Sequence, residues 1–114
     1  MKTYQINTEM LDTVLLAMGH PDHLLGTTYL REAVVLWASG YTHATKDLYP
    51  EIAKLCGSTA QRVERAIRHS IEVAMCRGSE SQRDVILGGT ISPDRGKPTN
   101  TEYIARLARV CREN

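Results

Sequence analysis

Residues 48–77 read LYPEIAKLCGSTAQRVERAIRHSIEVAMCR, and this stretch is the most informative about the fold. Its apolar residues recur three and four positions apart, which predicts two helices, over about Leu48–Cys56 and about Thr59–Arg77. Ser58 and Gln61 have the spacing of a capping box at the start of the second helix. The sequence therefore predicts two successive helices joined by a link of about three residues.

A link this short forces a sharp corner, as in a helix-turn-helix unit. Gly57 suits the left-handed backbone that the corner needs. Ala53 is small where the two helices approach each other, and Ile52 and Val63 are apolar where each helix should bury its inner face. An ordinary corner in a helix bundle fits these four residues about equally well, so the corner alone does not decide between the two.

The rest of the chain is also predicted to be helical, because the alternating apolar pattern of β-strands is nearly absent. Thr99 and Glu102 form a second capping box, which opens a last helix. Further helices are expected over about Glu9–Met18, about Asp22–Ser39 and, more weakly, about Ser81–Leu87. The expected fold is a compact all-α domain of six helices, with the helix-turn-helix at about 48–77.

The composition is that of one globular domain. The chain has 114 residues, of which 42% are hydrophobic and 24% are charged, a balance that excludes a disordered tail. No apolar run approaches the roughly 20 residues that span a bilayer, and no signal peptide is expected. We therefore expect a cytoplasmic protein with no membrane partner.

Several kinds of chemical site find no support in the sequence. Three cysteines without CxxC spacing favour neither a disulfide framework nor a zinc ribbon. His20 and His23 have no third ligand nearby, so no metal site is expected. No phosphate-binding loop and no nucleophile–base spacing occurs. We expect neither an enzyme nor a cofactor.

Charge is distributed unevenly along the chain, although the formal net charge is only +1. Residues 1–57 carry four basic side chains against six acidic ones, whereas residues 58–114 carry ten against seven. All bases of the second half are arginines except Lys97. The planar guanidinium fork of arginine suits phosphates and guanine edges.

The helix predicted over about Thr59–Arg77 collects polar side chains on one face. At about 100° per residue, this face holds Gln61, Arg65, Arg68 and Glu72, with Glu64 on one edge and Arg62 and His69 on the other. The B-DNA major groove accepts one helix, presented by its N-terminal half. A solvated helix with i,i+4 pairs, such as Glu64 with Arg68, is the alternative. Three arginines within seven residues favour DNA binding.

Individual roles on this face follow from side-chain chemistry. Arg65 and Arg68 match guanine O6 and N7, and Glu64 can accept from cytosine N4. Arg62 and His69, at the edge, are better placed for phosphates.

Four segments carry a family resemblance: TyrLeuArgGluAla (29–33), LeuTyrProGluIleAla (48–53), ArgValGluArgAlaIleArgHis (62–69) and LysProThrAsn (97–100). In this order they resemble the C-terminal effector domain of the stage-zero sporulation protein A family, over nearly the whole chain. The resemblance implies a six-helix DNA-binding domain whose fourth helix is the recognition helix. It also implies a short target box resembling TGTCGAA.

The resemblance implies contact roles for single residues as well. The family's base-reading and backbone-contacting positions fall on Arg62, Glu64, Arg65, Arg68, His69 and Lys97, and Gln61 joins them from its place on the polar face. Double-stranded DNA is the implied partner, with tandem pairing of two copies on DNA and contact with the sigma factor of RNA polymerase. A nucleoid-associated location follows.

Residues 1–114 are expected to form a single effector domain without the receiver domain that family members carry. The alternative is a receiver-less protein-interaction module, which binds or titrates a full-length regulator or a sigma factor without reading DNA.

Overall fold

The computed structural model of the chain describes residues 3–77, 84, 86–88 and 97–113. Within these ranges it contains five α-helices, and their bounds are Thr8–Ala17 (α1), Leu25–Ala38 (α2), Tyr49–Cys56 (α3), Ala60–Arg77 (α4) and Asn100–Val110 (α5). The all-α prediction is confirmed, since the described residues contain no strand beyond an isolated β-bridge between Ile6 and Arg112.

The predicted number of six helices is wrong, since the structure gives five α-helices within the residues that it describes. The helix expected over about Ser81–Leu87 falls mostly outside the described residues, and the three described residues of it, Asp84, Ile86 and Leu87, have helical backbone. They are not part of any of the five helices given above. The apolar residues 85–87 are consecutive in sequence and therefore do not mark out one face of a helix.

Helix α2 forms the centre of the domain. It packs mainly against α4 and α5, and makes smaller contacts with α1 and α3. Leu30, Ala33 and Val34 of α2 are completely buried. Arg31, on the outer side of α2, donates from Nε to Asp12 Oδ1 at 2.7 Å and so links α2 to α1.

A single π-helical turn, Ala44–Leu48, leads directly into α3. The N–H of Leu48 donates to the carbonyl of His43 at 3.1 Å, which is the i→i−5 bond of a π turn. Leu48 itself is fully buried. Sequence reasoning did not find this turn, because a single wide turn leaves no apolar period of its own.

The two ends of the described chain lie together. The N–H of Asn7 donates to the carbonyl of Cys111 at 2.8 Å, and that of Glu113 donates to the carbonyl of Gln5 at 2.8 Å. The guanidinium of Arg112 lies 4.8 Å from the centroid of the Tyr4 ring. These contacts close the fold on the side of α5.

Candidate nucleic-acid interface

The corner between α3 and α4 is built as the sequence indicates. Gly57 ends α3 with a φ of 64°, a conformation that costs other residues strain. The N–H of Ser58 then donates to the carbonyl of Ala53 at 2.9 Å. The N-cap of α4 differs from the expected one by one residue, since Thr59 Oγ1 accepts from the N–H of Arg62 at 3.2 Å. Thr59, rather than Ser58, therefore satisfies a free backbone donor at the start of α4.

Helix α4 is strongly amphipathic. Its inner face buries Val63, Ile67, Ser70, Ile71 and Ala74, four of which are apolar residues that the spacing predicts to be internal. This face packs against α2 at very short range. A β-carbon added at Gly26 of α2 would lie 2.0 Å from the carbonyl oxygen of Ala66. The absence of a side chain at Gly26 thus sets how close α4 sits to the core.

All the side chains of α4 that are predicted from the sequence to contact DNA lie on its outer face. Five of them are exposed and Glu64 is half-buried; the exposed ones are Gln61, Arg62, Arg65, Arg68 and His69. All of them except His69 project from the N-terminal half of α4, just after the corner. A helix-turn-helix presents this half to the major groove.

Two ion pairs cross this face. Arg68 Nη1 donates to Glu64 Oε1 at 2.9 Å, as an i,i+4 pair on α4. Lys97, which lies outside α4, has its Nζ 3.8 Å from Glu72 Oε1. The structure therefore brings Lys97, a residue 28 to 36 positions from the other predicted contacts, to the same side of the domain.

A groove of about 550 Å³ lies between α4 and the segment 97–101. The π turn and Tyr49 of α3 complete its walls. Both ion pairs line it, together with Ile71 and Pro98. The groove separates the two groups of predicted DNA contacts, which are the outer face of α4 and Lys97.

Asn100 spans this separation. Its Nδ2 donates to the backbone carbonyl of Glu64 at 3.1 Å and to the Tyr49 hydroxyl at 3.2 Å. Burial raises the pKa of Tyr49, so its hydroxyl stays neutral and can accept this bond. The predicted capping box of Thr99 and Glu102 is present and starts α5. One amide thus joins α3, α4 and the segment that carries Lys97.

A buried polar cluster supports α4 from behind. His20 shares hydrogen bonds with Ser70 Oγ through Nδ1, at 2.7 Å, and with Tyr103 Oη through Nε2, at 2.6 Å. Thr27 Oγ1 lies 3.0 Å from the same Ser70 oxygen. Burial lowers the pKa of His20 from 6.5 to about 4. The neutral ring therefore joins the α1–α2 connection to α4 and α5, with one nitrogen as donor and the other as acceptor.

This arrangement gives His20 a structural role, because both of its ring nitrogens are engaged by hydroxyl groups. His23 is exposed. Across the ranges that the structure describes, no three His, Cys, Asp or Glu side chains are grouped as metal ligands. Cys56 and Cys76 are exposed and Cys111 is buried, and all three are free thiols.

The comparison with protein families agrees with this geometry. The model of the family described as sporulation initiation factor Spo0A, C terminal, matches residues 11–111. The chain belongs to this family. The resemblance that the four sequence segments suggest is thereby confirmed. Spo0A C-terminal domains are DNA-binding effector domains of sporulation transcription regulation, and the family is a regulatory family rather than an enzyme family.

The match with the Spo0A C-terminal family covers the corner, α4 and the segment from Lys97 to α5. Double-stranded DNA is the partner that this membership supports. None of the helices in the described ranges combines the length and the apolar character that crossing a membrane requires.

Glu72 and Asn100 make contacts at this candidate interface that sequence reasoning missed. Glu72 lies on the outer face of α4, but nothing in its spacing shows that it faces Lys97. Asn100 ends the LysProThrAsn segment of the family resemblance, yet its bond to Glu64 joins residues 36 positions apart. Contacts at that separation depend on how the helices pack, and a helical period does not report them.

Proposed function

We propose that this chain is a sequence-specific reader of double-stranded DNA that regulates transcription, with α4 as the recognition helix in the major groove. The observation that carries the proposal is the outer face of α4. Three arginines are exposed there in the N-terminal half of the helix, directly after a glycine corner. Membership of the Spo0A C-terminal family supports DNA as the partner.

Base reading falls to Arg65, Arg68 and Glu64. Each arginine fork matches the O6 and N7 acceptors of one guanine, and the carboxylate can accept from a cytosine N4. A target box resembling TGTCGAA offers both kinds of base. In the free chain Arg68 Nη1 lies 2.9 Å from Glu64 Oε1. This ion pair restricts the orientation of both side chains before they enter the major groove of the DNA.

The proposed contacts with the DNA backbone come from Arg62 and His69, at the edge of the α4 face, and from Lys97, on the other side of the groove between α4 and the segment 97–101. Gln61, in the first turn of α4, lies where a side chain can reach either a base edge or a phosphate. Phosphate contacts fix the position of a protein on the duplex, whereas base contacts select the sequence. The two classes should therefore respond differently to substitution.

Arg65→Ala and Lys97→Ala test this division. Arg65→Ala should cost about 1–3 kcal/mol of binding to a duplex that contains the box and should relax the preference at one guanine. Lys97→Ala should weaken binding to all duplexes alike and reduce the slope of log K against log salt by about one. Titrations of both variants against box and scrambled duplexes, at several salt concentrations, measure both effects.

Uniform weakening by Arg65→Ala across both duplexes would contradict base reading by this side chain. Binding of a full-length regulator or a sigma factor in a pull-down without nucleic acid, together with no mobility shift on the box, would favour the protein-interaction module instead.

Two further partners belong to this proposal. Tandem boxes would hold two copies side by side, so binding should be cooperative when the boxes lie one helical turn apart. Displacing one box by half a turn should abolish the cooperativity, because the second copy then faces the other side of the duplex. The sigma factor of RNA polymerase is the protein partner that a transcription activator of this kind would contact.

A further inference from the structure

Glu72 is the acid on the outer face of α4 that the proposed base reading does not use. Its Oε1 lies 3.8 Å from Lys97 Nζ, and both side chains are well exposed, at 47% and 60%. In the free chain the Lys97 ammonium thus faces a carboxylate. In the proposed complex the same ammonium faces a backbone phosphate.

We propose that Glu72 limits the affinity of this chain for DNA by acting as an intramolecular counterion of Lys97, which a phosphate must displace on binding. The inference rests on the proposed function in one respect, namely that Lys97 contacts a phosphate. It assigns Glu72 a role in setting the strength of binding rather than in selecting the sequence.

The charges around the groove support this assignment. The groove between α4 and the segment 97–101 is lined by two acids and two bases, and these four charges form the pairs Glu64–Arg68 and Glu72–Lys97. Glu64 has a proposed partner in the DNA, since it can accept from a cytosine. Glu72 has no such partner, because a carboxylate near a phosphate is repelled.

Glu72 therefore opposes binding in two ways, which an experiment can separate. Its charge repels phosphates directly, and this effect does not depend on Lys97. It also occupies the Lys97 ammonium, and this effect disappears when Lys97 is absent. A double-mutant cycle isolates the second effect.

The cycle compares the unmodified chain, Glu72→Gln, Lys97→Ala and the double variant on box and scrambled duplexes at one salt concentration. Glutamine keeps the size of the side chain and removes its charge. Glu72→Gln should tighten binding about two- to fivefold on both duplexes, which is the range expected for an exposed ion pair. In the Lys97→Ala background the same substitution should change the affinity by much less.

Glu9→Gln is the matched control, because it removes the same charge from an exposed position in the first turn of α1. It should tighten binding less than Glu72→Gln does. Circular dichroism of each variant checks that the helices are retained.

Two results would overturn the inference: no tightening with Glu72→Gln, or an equal gain with and without Lys97. Equal affinity of the unmodified chain for both duplexes contradicts sequence-specific reading, but leaves the Glu72 comparison valid, because every duplex has phosphates. Absence of binding by all four proteins contradicts both proposals.

Discussion

Gly26 is the residue on which the position of α4 depends most directly. A β-carbon there would lie 2.0 Å from the carbonyl oxygen of Ala66 and 2.7 Å from its carbonyl carbon. These are backbone atoms in the middle of a helix, so no side-chain rotation can relieve the contact. The two helices must separate to accept any side chain.

Gly26→Ala should lower the free energy of unfolding by about 2 kcal/mol, which is typical of overpacking in a well-packed core. Helix propensity alone would raise the free energy of unfolding, since alanine favours a helix over glycine by about 1 kcal/mol. A decrease therefore reports the steric contact. Chemical denaturation measures the change. Thr28→Ala, at an exposed position of the same helix, is the control and should leave stability nearly unchanged. A Gly26→Ala variant as stable as the original would contradict the close approach of α2 and α4.

His20 makes stability depend on pH. Burial lowers its pKa to about 4 in the folded chain, whereas the unfolded chain has the ordinary value of about 6.5. Between these values the unfolded state binds the proton and the folded state does not. The stabilisation is therefore complete above about pH 6.5 and is lost as the pH falls towards 4, by about 3 kcal/mol in all.

Denaturation at several pH values between 5 and 7 measures this slope in a range where few carboxyl groups titrate. His20→Gln should be less stable at pH 7 and should lose most of the slope. His23→Gln, which removes an exposed histidine three positions away, should keep it. The same slope in the His20→Gln variant as in the original would show that another group is responsible.

The proposed DNA interface consists of a helix and a segment that are separate in sequence. Helix α4 carries the proposed base-reading side chains, and the segment before α5 carries Lys97. Asn100 connects them through its bonds to the Glu64 carbonyl and the Tyr49 hydroxyl. We infer that this amide keeps Lys97 at a constant distance from the recognition helix.

Asn100→Ala should weaken binding to any duplex about two- to fivefold, since Lys97 is then less well positioned. The loss of its two hydrogen bonds should reduce the free energy of unfolding by about 1–3 kcal/mol. Titration of the single variant and of the Asn100→Ala, Lys97→Ala double variant measures the effect. Little further weakening is expected in the double variant. Full additivity would mean that Asn100 does not act through Lys97.

The elements that could be predicted from the sequence are those with local signals. The bounds of α3 and α4 differ from the predicted ones by a residue at their starts, because apolar period, glycine and proline act within a turn or two. The exposure of Arg62, Arg65, Arg68 and His69 follows from the same period. Their contact with DNA stays a prediction.

The features that sequence reasoning missed depend on tertiary packing or on an irregular backbone. The π turn Ala44–Leu48 has no period to detect. The pairing of Glu72 with Lys97, and that of His20 with Ser70 and Tyr103, joins elements that meet only when the chain folds.

The net charge of +1 for the whole molecule is the sum over two halves of opposite charge. The half that contains α1, α2 and α3 is mildly acidic, whereas the half that contains α4 and α5 is basic. Two bases on the α4 side, Arg68 and Lys97, are paired with acids. Because phosphate neutralisation supplies most non-specific affinity, such a chain should bind random DNA weakly and depend on a few base contacts.

The proposed function requires that α4 reads base sequence. Its most direct test is the affinity of the unmodified chain for a duplex with a TGTCGAA-like box and for a scrambled duplex of equal length, measured at the same salt concentration. Two bidentate arginine contacts, each worth about 1–3 kcal/mol, predict that the box is bound about thirtyfold more tightly or better. Equal affinity for the two duplexes would contradict base reading by α4.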